Sequence, residues 1–166
     1  MEKVVAQLPE AKIYLLGDFD DPKWQKMAHQ KRLDNNVVFC GMTQNVNEYY
    51  SNASVYLSTS KYEGFLMTLL EAQAHHLPTV MFHMPHLTIG TPKHGVIGVD
   101  QMDTTAAAAE IVRLLKDEVH WQTNSELAAC SYNQLKMYDY EAAWRKVITE
   151  EVPEASCDEA VHNMIH

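Results

Sequence analysis

Two carboxylates, Glu63 and Glu71, bracket the run G-F-L-M-T-L-L. Gly64 supplies the backbone freedom of a sharp turn, and from Phe65 the residues Leu66, Met67, Leu69, Leu70, Ala72 and Ala74 are helical in type and spacing. If both acids were helical, eight positions would separate them by about 12 Å of rise. That is the scale of a sugar, a pyrophosphate and a ribose laid end to end. Between them, a helix start offers N–H groups without intrahelical partners and a partial positive charge suited to phosphate. Lys61 and Lys93 are the nearest cations. The alternative is structural: Glu63 as a first-turn acid favoured by the helix dipole and Glu71 as a solvated helix residue.

Other chemistries find less support. Nine histidines are present, and His75, His76, His83, His86 and His94 crowd the segment after this helix. Zinc would need three or four ligands at coherent spacing, and His83 to His86 with Pro85 between them is a weak pair, so no metal is expected. His86 and His94 read better as loop groups near a ligand. No G-x-S-x-G elbow is present. Gly17 stands alone in L-L-G-D-F-D-D, without the G-x-G-x-x-G of a dinucleotide fold, and no P-loop occurs.

The chain has 166 residues, 46% of them hydrophobic, and a formal charge of -9. That is enough apolar material for the core of a soluble domain, and the acidic balance argues against wrapping a nucleic-acid backbone. No apolar run approaches the ~20 residues of a membrane span, so a cytoplasmic protein is expected. Cys40, Cys130 and Cys157 form no C-x-x-C pair and read as free thiols, Cys40 as a small core hydrophobe.

The elements that must position these groups alternate. Glu2 to Leu8 reads as the second half of a helix, Lys12 to Leu16 as a strand ending at Gly17, and Pro22 opens a helix carrying Trp24, Met27 and Ala28. Val37 to Cys40 is a second strand, Val46 to Tyr50 a brief helix, Ala53 to Ser58 a third strand, Thr79 to His83 a fourth and Gly95 to Val99 a fifth. Thr104 to Leu115 is helical, capped by Asp103 or Thr104, and residues 125–150 are helical again with Tyr132, Leu135, Tyr140, Trp144, Val147 and Ile148 as candidate buried contacts. This predicts an α/β fold: a Rossmann-like parallel sheet with helices on both faces over residues 1–150, followed by a tail, 151–166, able to form a short helix. Ligands of such sheets lie beyond the carboxyl ends of the strands, where Gly17, Gly41 and the Ser60 to Gly64 turn fall.

At this point the sequence resembles a known family. S-K-Y-E-G-F at Ser60 to Phe65, L-L-E-A at Leu69 to Ala72 and L-P-T-V at Leu77 to Val80 are similar to the donor-binding half of retaining glycosyltransferases of the two-domain GT-B fold, family 4, or glycosyl transferases group 1. The likeness extends to Ile13–Gly17, V-x-F-x-G at Val37 to Gly41, N-V-x-E-Y-Y at Asn45 to Tyr50, G-V-I-G-V at Gly95 to Val99 and Ala107 to Asp117.

The resemblance implies that Glu63 lies near the transferred sugar and the reaction centre. It implies that Glu71 accepts hydrogen bonds from ribose hydroxyls, and that the backbone of Gly64, Phe65 and Leu66 approaches the sugar and phosphates. Gly17, Lys61 and His86 complete the expected donor site. The implied donor is a nucleotide sugar, UDP-hexose by likeness, taken as a substrate with no cofactor; the acceptor would be a glycan, a polyol-phosphate or a lipid. The family's first strand, with its diphosphate-pairing cations, and its acceptor-binding domain have no counterpart in this sequence. The expectation is therefore a donor-binding fragment with little transfer activity alone, whose absent half would make any peripheral membrane contact. His76 stands where relatives place a glycine, which implies an altered or strained helix cap. A non-catalytic scaffold or partner-binding module that retains the fold is the alternative.

Overall fold

The computed structural model describes residues 1–149; the expected tail at 151–166 lies outside them. In chain order the elements are α1 (Glu2–Val5), β1 (Ile13–Leu16), α2 (Lys23–Gln30), β2 (Val37–Gly41), α3 (Val46–Asn52), β3 (Tyr56–Ser58), α4 (Met67–Ala74), β4 (Thr79–Phe82), a 3₁₀ turn at Pro92–His94, β5 (Val96–Val99), α5 (Thr104–Lys116), α6 (Glu118–Lys136) and α7 (Tyr140–Thr149). Every strand pairing is parallel, and helices flank the sheets, as in a Rossmann-like half of a GT-B fold. β1, β3, β4 and β5 are shorter than the sequence suggests, and β2 runs one residue longer, to Gly41. Ala53 ends α3 in extended conformation, so β3 pairs only from Tyr56.

The sheet expected as one is two ladders: β1 pairs with β2, and β3–β4–β5 form a second sheet. Ile13 and Gly17 donate their N–H groups to Asn36 and Gly41 on the β2 side, and Tyr56 donates to Pro78 on the β4 side. Because backbone groups of successive strand residues face opposite neighbours, those of Tyr14 and Leu16 in β1, and of Leu57 in β3, point to edges that no described strand occupies. Burial follows the same pattern. All four residues of β4 are buried, whereas β1 is half-buried or exposed throughout.

The core of the second sheet is Val80, Phe82, Val99, Ala107 and Leu114, with Leu57, Ile97 and Trp121 packed against it. Val4 of α1 packs on Ala108 and Val112 of α5, the alanine-rich face allowing close approach. Asp103 settles the capping alternative: its carboxylate accepts from the N–H groups of Thr105 and Ala106. Gly95 enters β5 with φ +71°, and a Cβ there would lie 2.3 Å from the carbonyl oxygen of Asn124 in α6, so only glycine fits. Gln73 of α4 is fully buried and donates to the His94 carbonyl at 3.0 Å, tying α4 to this same junction.

His76 resolves the expected cap question. Leu77 N–H donates to Ala72 C=O and His76 N–H to Gln73 C=O, both at 3.0 Å, which is a Schellman motif with His76 in the left-handed position at φ 59°. The cap is kept and the strain accepted. Arg32, at φ 55°, closes α2 in the same way through Leu33 to Ala28 and Arg32 to His29.

The chain divides into two compact units, Met1–Gln134 and a second beginning at Leu135. The helix expected as continuous over 125–150 breaks at 137–139, where the Asp139 carboxylate then accepts from Ala142 N–H as α7 begins. Glu141 pairs with Arg145 at 2.7 Å along α7. Of the contacts expected to be buried, Tyr132 and Leu135 are half-buried, while Tyr140, Trp144, Val147 and Ile148 are exposed.

Candidate functional site

The start of α4 lacks the side-chain cap that α5 has. Helix geometry begins at Met67, not Phe65, and the N-cap position is Leu66, whose side chain is buried and makes no capping hydrogen bond. Leucine at this position anchors the turn in the core and leaves the first amides of α4 without a carboxylate or hydroxyl partner. Gly64 and Phe65 are exposed just ahead of it, Phe65 at 54% of its surface. Glu63 is therefore in the loop rather than on the helix, half-buried, while Glu71 lies exposed on α4.

The Glu71 carboxylate is held from α3. Tyr50 donates its hydroxyl to Glu71 Oε2 at 3.0 Å, with the Thr68 carbonyl 3.4 Å away as a second, weaker acceptor. The Tyr50 ring stacks on His75 at 5.5 Å between centroids, and His75 is itself bonded to Ser51 and Asn47, each at 3.2 Å. Beside them the Tyr56 hydroxyl shares a 2.7 Å hydrogen bond with Thr68 Oγ1 at the opening turn of α4. Burial, and next the hydrogen bond to the Glu71 carboxylate, push the Tyr50 hydroxyl well above the usual phenol range. Tyr56 is also raised. Burial is the main cause, opposed by the hydrogen bond to Thr68 and assisted by the charges of both Glu63 and Glu71. One hydroxyl at the start of α4 thus feels both acids.

The Glu63 side is built from loops after β3, β4 and β5. The Glu63 carbonyl can only accept, so the His86 Nε2 at 2.8 Å carries a proton and donates to it. Tyr62 stacks on His86 with centroids 5.0 Å apart. Gln101 donates to the carbonyls of Lys61 and His83, joining three strand ends. Lys61, Glu63 and His86 therefore share one rim. Gly17 lies on the rim of the other ladder, at φ 126°, donating to Gly41. Lys93 is exposed beside the 3₁₀ turn. There, burial and next the Lys93 charge lower the His94 pKa.

Among the described residues, no group of three or more histidine, cysteine, aspartate or glutamate side chains is placed to hold a metal ion, and no helix is long and apolar enough to cross a membrane. Cys40 is only half-buried, less than the core role expected of it, and Cys130 is exposed. Tyr50, Tyr56, His75 and Gln101 were not singled out from sequence. The signal for the first and third was available: Asn47, Tyr50 and Ser51 fall at i, i+3, i+4, as do Thr68, Glu71 and His75 at i, i+3, i+7, each set on one helix face.

Residues 1–117 match the family model described as Glycosyl transferases group 1, and the chain belongs to that family. A Bacillus subtilis poly(glycerol-phosphate) alpha-glucosyltransferase is 31% identical over 128 residues, covering 75% of this chain and 19% of that protein. An N-acetyl-alpha-D-glucosaminyl L-malate synthase of Bacillus anthracis is 27% identical over 162 residues, 90% of this chain and 41% of that protein. The chain thus spans from about a fifth to about two fifths of the length of these curated relatives. Among solved structures, an S. aureus TarM mutant in complex with fondaparinux, alpha-GlcNAc-glycerol and UDP superposes with a TM-score of 0.76 at 24% identity, over 89% of this chain and 30% of that one. The C-terminal domain of a group 1 glycosyl transferase family protein, LpcC of Francisella tularensis, gives 0.64 at 20% identity over 81% and 73%. These structures share its fold.

Proposed function

We propose that this chain is the donor-binding domain of a retaining glycosyltransferase, and that it binds a UDP-hexose whose sugar passes to a glycan, polyol-phosphate or lipid acceptor held by a separate domain. The observation that carries the reading is the uncapped start of α4, with Glu63 in the loop just ahead of it and Glu71, bonded by Tyr50, on the helix itself. In this reading Glu71 takes the ribose hydroxyls. The bare amides after Leu66, with Gly64 and Phe65 exposed ahead of them, take the diphosphate, and Glu63 faces the sugar, where it fixes hydroxyls or stabilises positive charge at the anomeric carbon. Lys61 adds a local cation. His86 holds the Glu63 turn through Nε2 and presents Nδ1, and Gly17 lets backbone approach from the neighbouring rim. The donor is a substrate, and no resident cofactor enters the reading. Supporting it are the family match, the relative named as a glucosyltransferase and the UDP in the superposed TarM structure.

The domain itself is one strand short in this reading. α1 leads directly into β1 and packs on α5, so it sits as the crossover helix of a strand–helix–strand unit whose first strand is missing. One further parallel strand would fill the open edges of β1 and β3 and join the two ladders. The acceptor-binding domain would precede that strand, and the whole enzyme would work in the cytoplasm, touching the membrane peripherally through that domain. Transfer by this chain alone is expected to be negligible, because half of the cleft that orients the reactants belongs to the acceptor domain.

The test is titration of UDP and UDP-glucose against the wild-type chain and Glu71→Ala, by calorimetry or NMR. Weak binding that falls at least about tenfold in the variant is expected if a charged hydrogen bond is lost. Equal affinity in the two proteins would remove the assignment.

A further inference from the structure

We infer that Tyr50 is a positioning residue of this site, setting the Glu71 carboxylate for a nucleoside diol, and that His75 backs it. The inference rests on the donor-site reading above and adds to it the helix that makes Glu71 selective.

Glu71 is exposed, and an exposed glutamate samples many rotamers, so a ligand that needs one of them must bear the entropy of selecting it. Tyr50 removes that freedom by donating to Oε2 at 3.0 Å. Oε2 retains a second lone pair and Oε1 both of its own, so the carboxylate can still accept two hydroxyls. The phenol is fixed in turn. It lies flat on the His75 ring, with 19° between the planes. His75 is clamped at both nitrogens by α3 itself: the Asn47 Oδ1 can only accept, so Nε2 carries the proton and Nδ1 accepts from the Ser51 hydroxyl. Neutral His75 satisfies both contacts at once. The raised Tyr50 pKa keeps the phenol a donor throughout the neutral range. Two helix faces, Asn47–Tyr50–Ser51 and Thr68–Glu71–His75, thus interlock through polar contacts, and Glu71 remains exposed among them with its carboxylate held.

The experiment measures the affinities of UDP and 2′,3′-dideoxy-UDP for the wild-type chain, Tyr50→Phe, His75→Ala, Glu71→Ala and the Tyr50→Phe/Glu71→Ala double variant, with thermal midpoints as a folding control. Wild type is expected to prefer UDP. Tyr50→Phe should weaken UDP about three- to tenfold, the loss expected when an ordered charged acceptor loses its partner, and leave the dideoxy analogue unchanged. His75→Ala should show a smaller loss of the same kind, and in the Glu71→Ala background Tyr50→Phe should have no further effect. A merely structural Tyr50 would weaken both nucleotides equally, and this result overturns the inference. So does a Tyr50→Phe protein that prefers UDP as strongly as wild type, while Glu71→Ala loses the preference. If wild type does not distinguish the two nucleotides, or binds neither, the donor-site reading falls and the inference with it.

Discussion

Replacing His76 by glycine should stabilise this protein, although it deletes a side chain. His76 occupies the left-handed position of the Schellman motif that ends α4, at φ 59°, and its side chain is exposed. Holding an L-residue there costs about 1–2 kcal/mol relative to glycine. The replacement also gives the unfolded chain extra freedom, which offsets about 0.4–1 kcal/mol. The central difference, about 0.8 kcal/mol in favour of the variant, corresponds to a rise in the melting midpoint of about 2–3 °C for a chain of this size. Urea denaturation at constant m-value, checked by thermal melting, measures it. Arg32→Gly, at φ 55° in the equivalent motif of α2, should move the same way. Ala74→Gly, inside the last turn of α4, should move the opposite way by about 1 kcal/mol. A His76→Gly protein that unfolds at the same or a lower urea concentration than wild type would refute the reasoning, because the strain would then not be stored in that dihedral.

Two further outcomes test the frame around the site. Gly95→Ala should destabilise by about 3 kcal/mol or more and shift the amide NMR signals of α6 around Asn124 and Ala128, since its Cβ would meet backbone at 2.3 and 2.7 Å; a variant as stable as wild type would mean α6 is not seated there. His94 has a lowered folded pKa, from burial first and the Lys93 charge second. The unfolded chain therefore takes up this proton at higher pH than the folded one, so its contribution is undiminished above pH ~6.5 and declines as pH falls through that value towards the folded pKa. Urea unfolding at pH 7.5 and 5.5 should show a smaller acid loss in His94→Gln than in wild type, and equal losses would contradict it.

The sequence by itself determined the order and type of the elements. The short apolar runs Ile13–Leu16 and Thr79–Phe82, the alternation of Ala53, Val55 and Leu57, the helix breakers Gly17 and Pro78, and the spacing of Leu66, Leu69 and Ala72 are local signals, and they suffice for a parallel α/β domain with a strand–loop–helix unit at its centre. The family-like residues around Glu63 and Glu71 were legible for the same reason, being contiguous. What only the tertiary structure decided depends on partners far apart in the chain. Whether β1 and β3 share one sheet turns on which strand occupies their free edges, and no pattern within either strand encodes that. The uncapped start of α4 follows from Leu66 being drawn into the core, and its left-handed end shows only in the backbone of His76. The hold of Tyr50 on Glu71 spans 21 positions in sequence. Each helix face carries its own half of that contact, and only packing α3 beside α4 turns two sets of spaced polar residues into one oriented carboxylate.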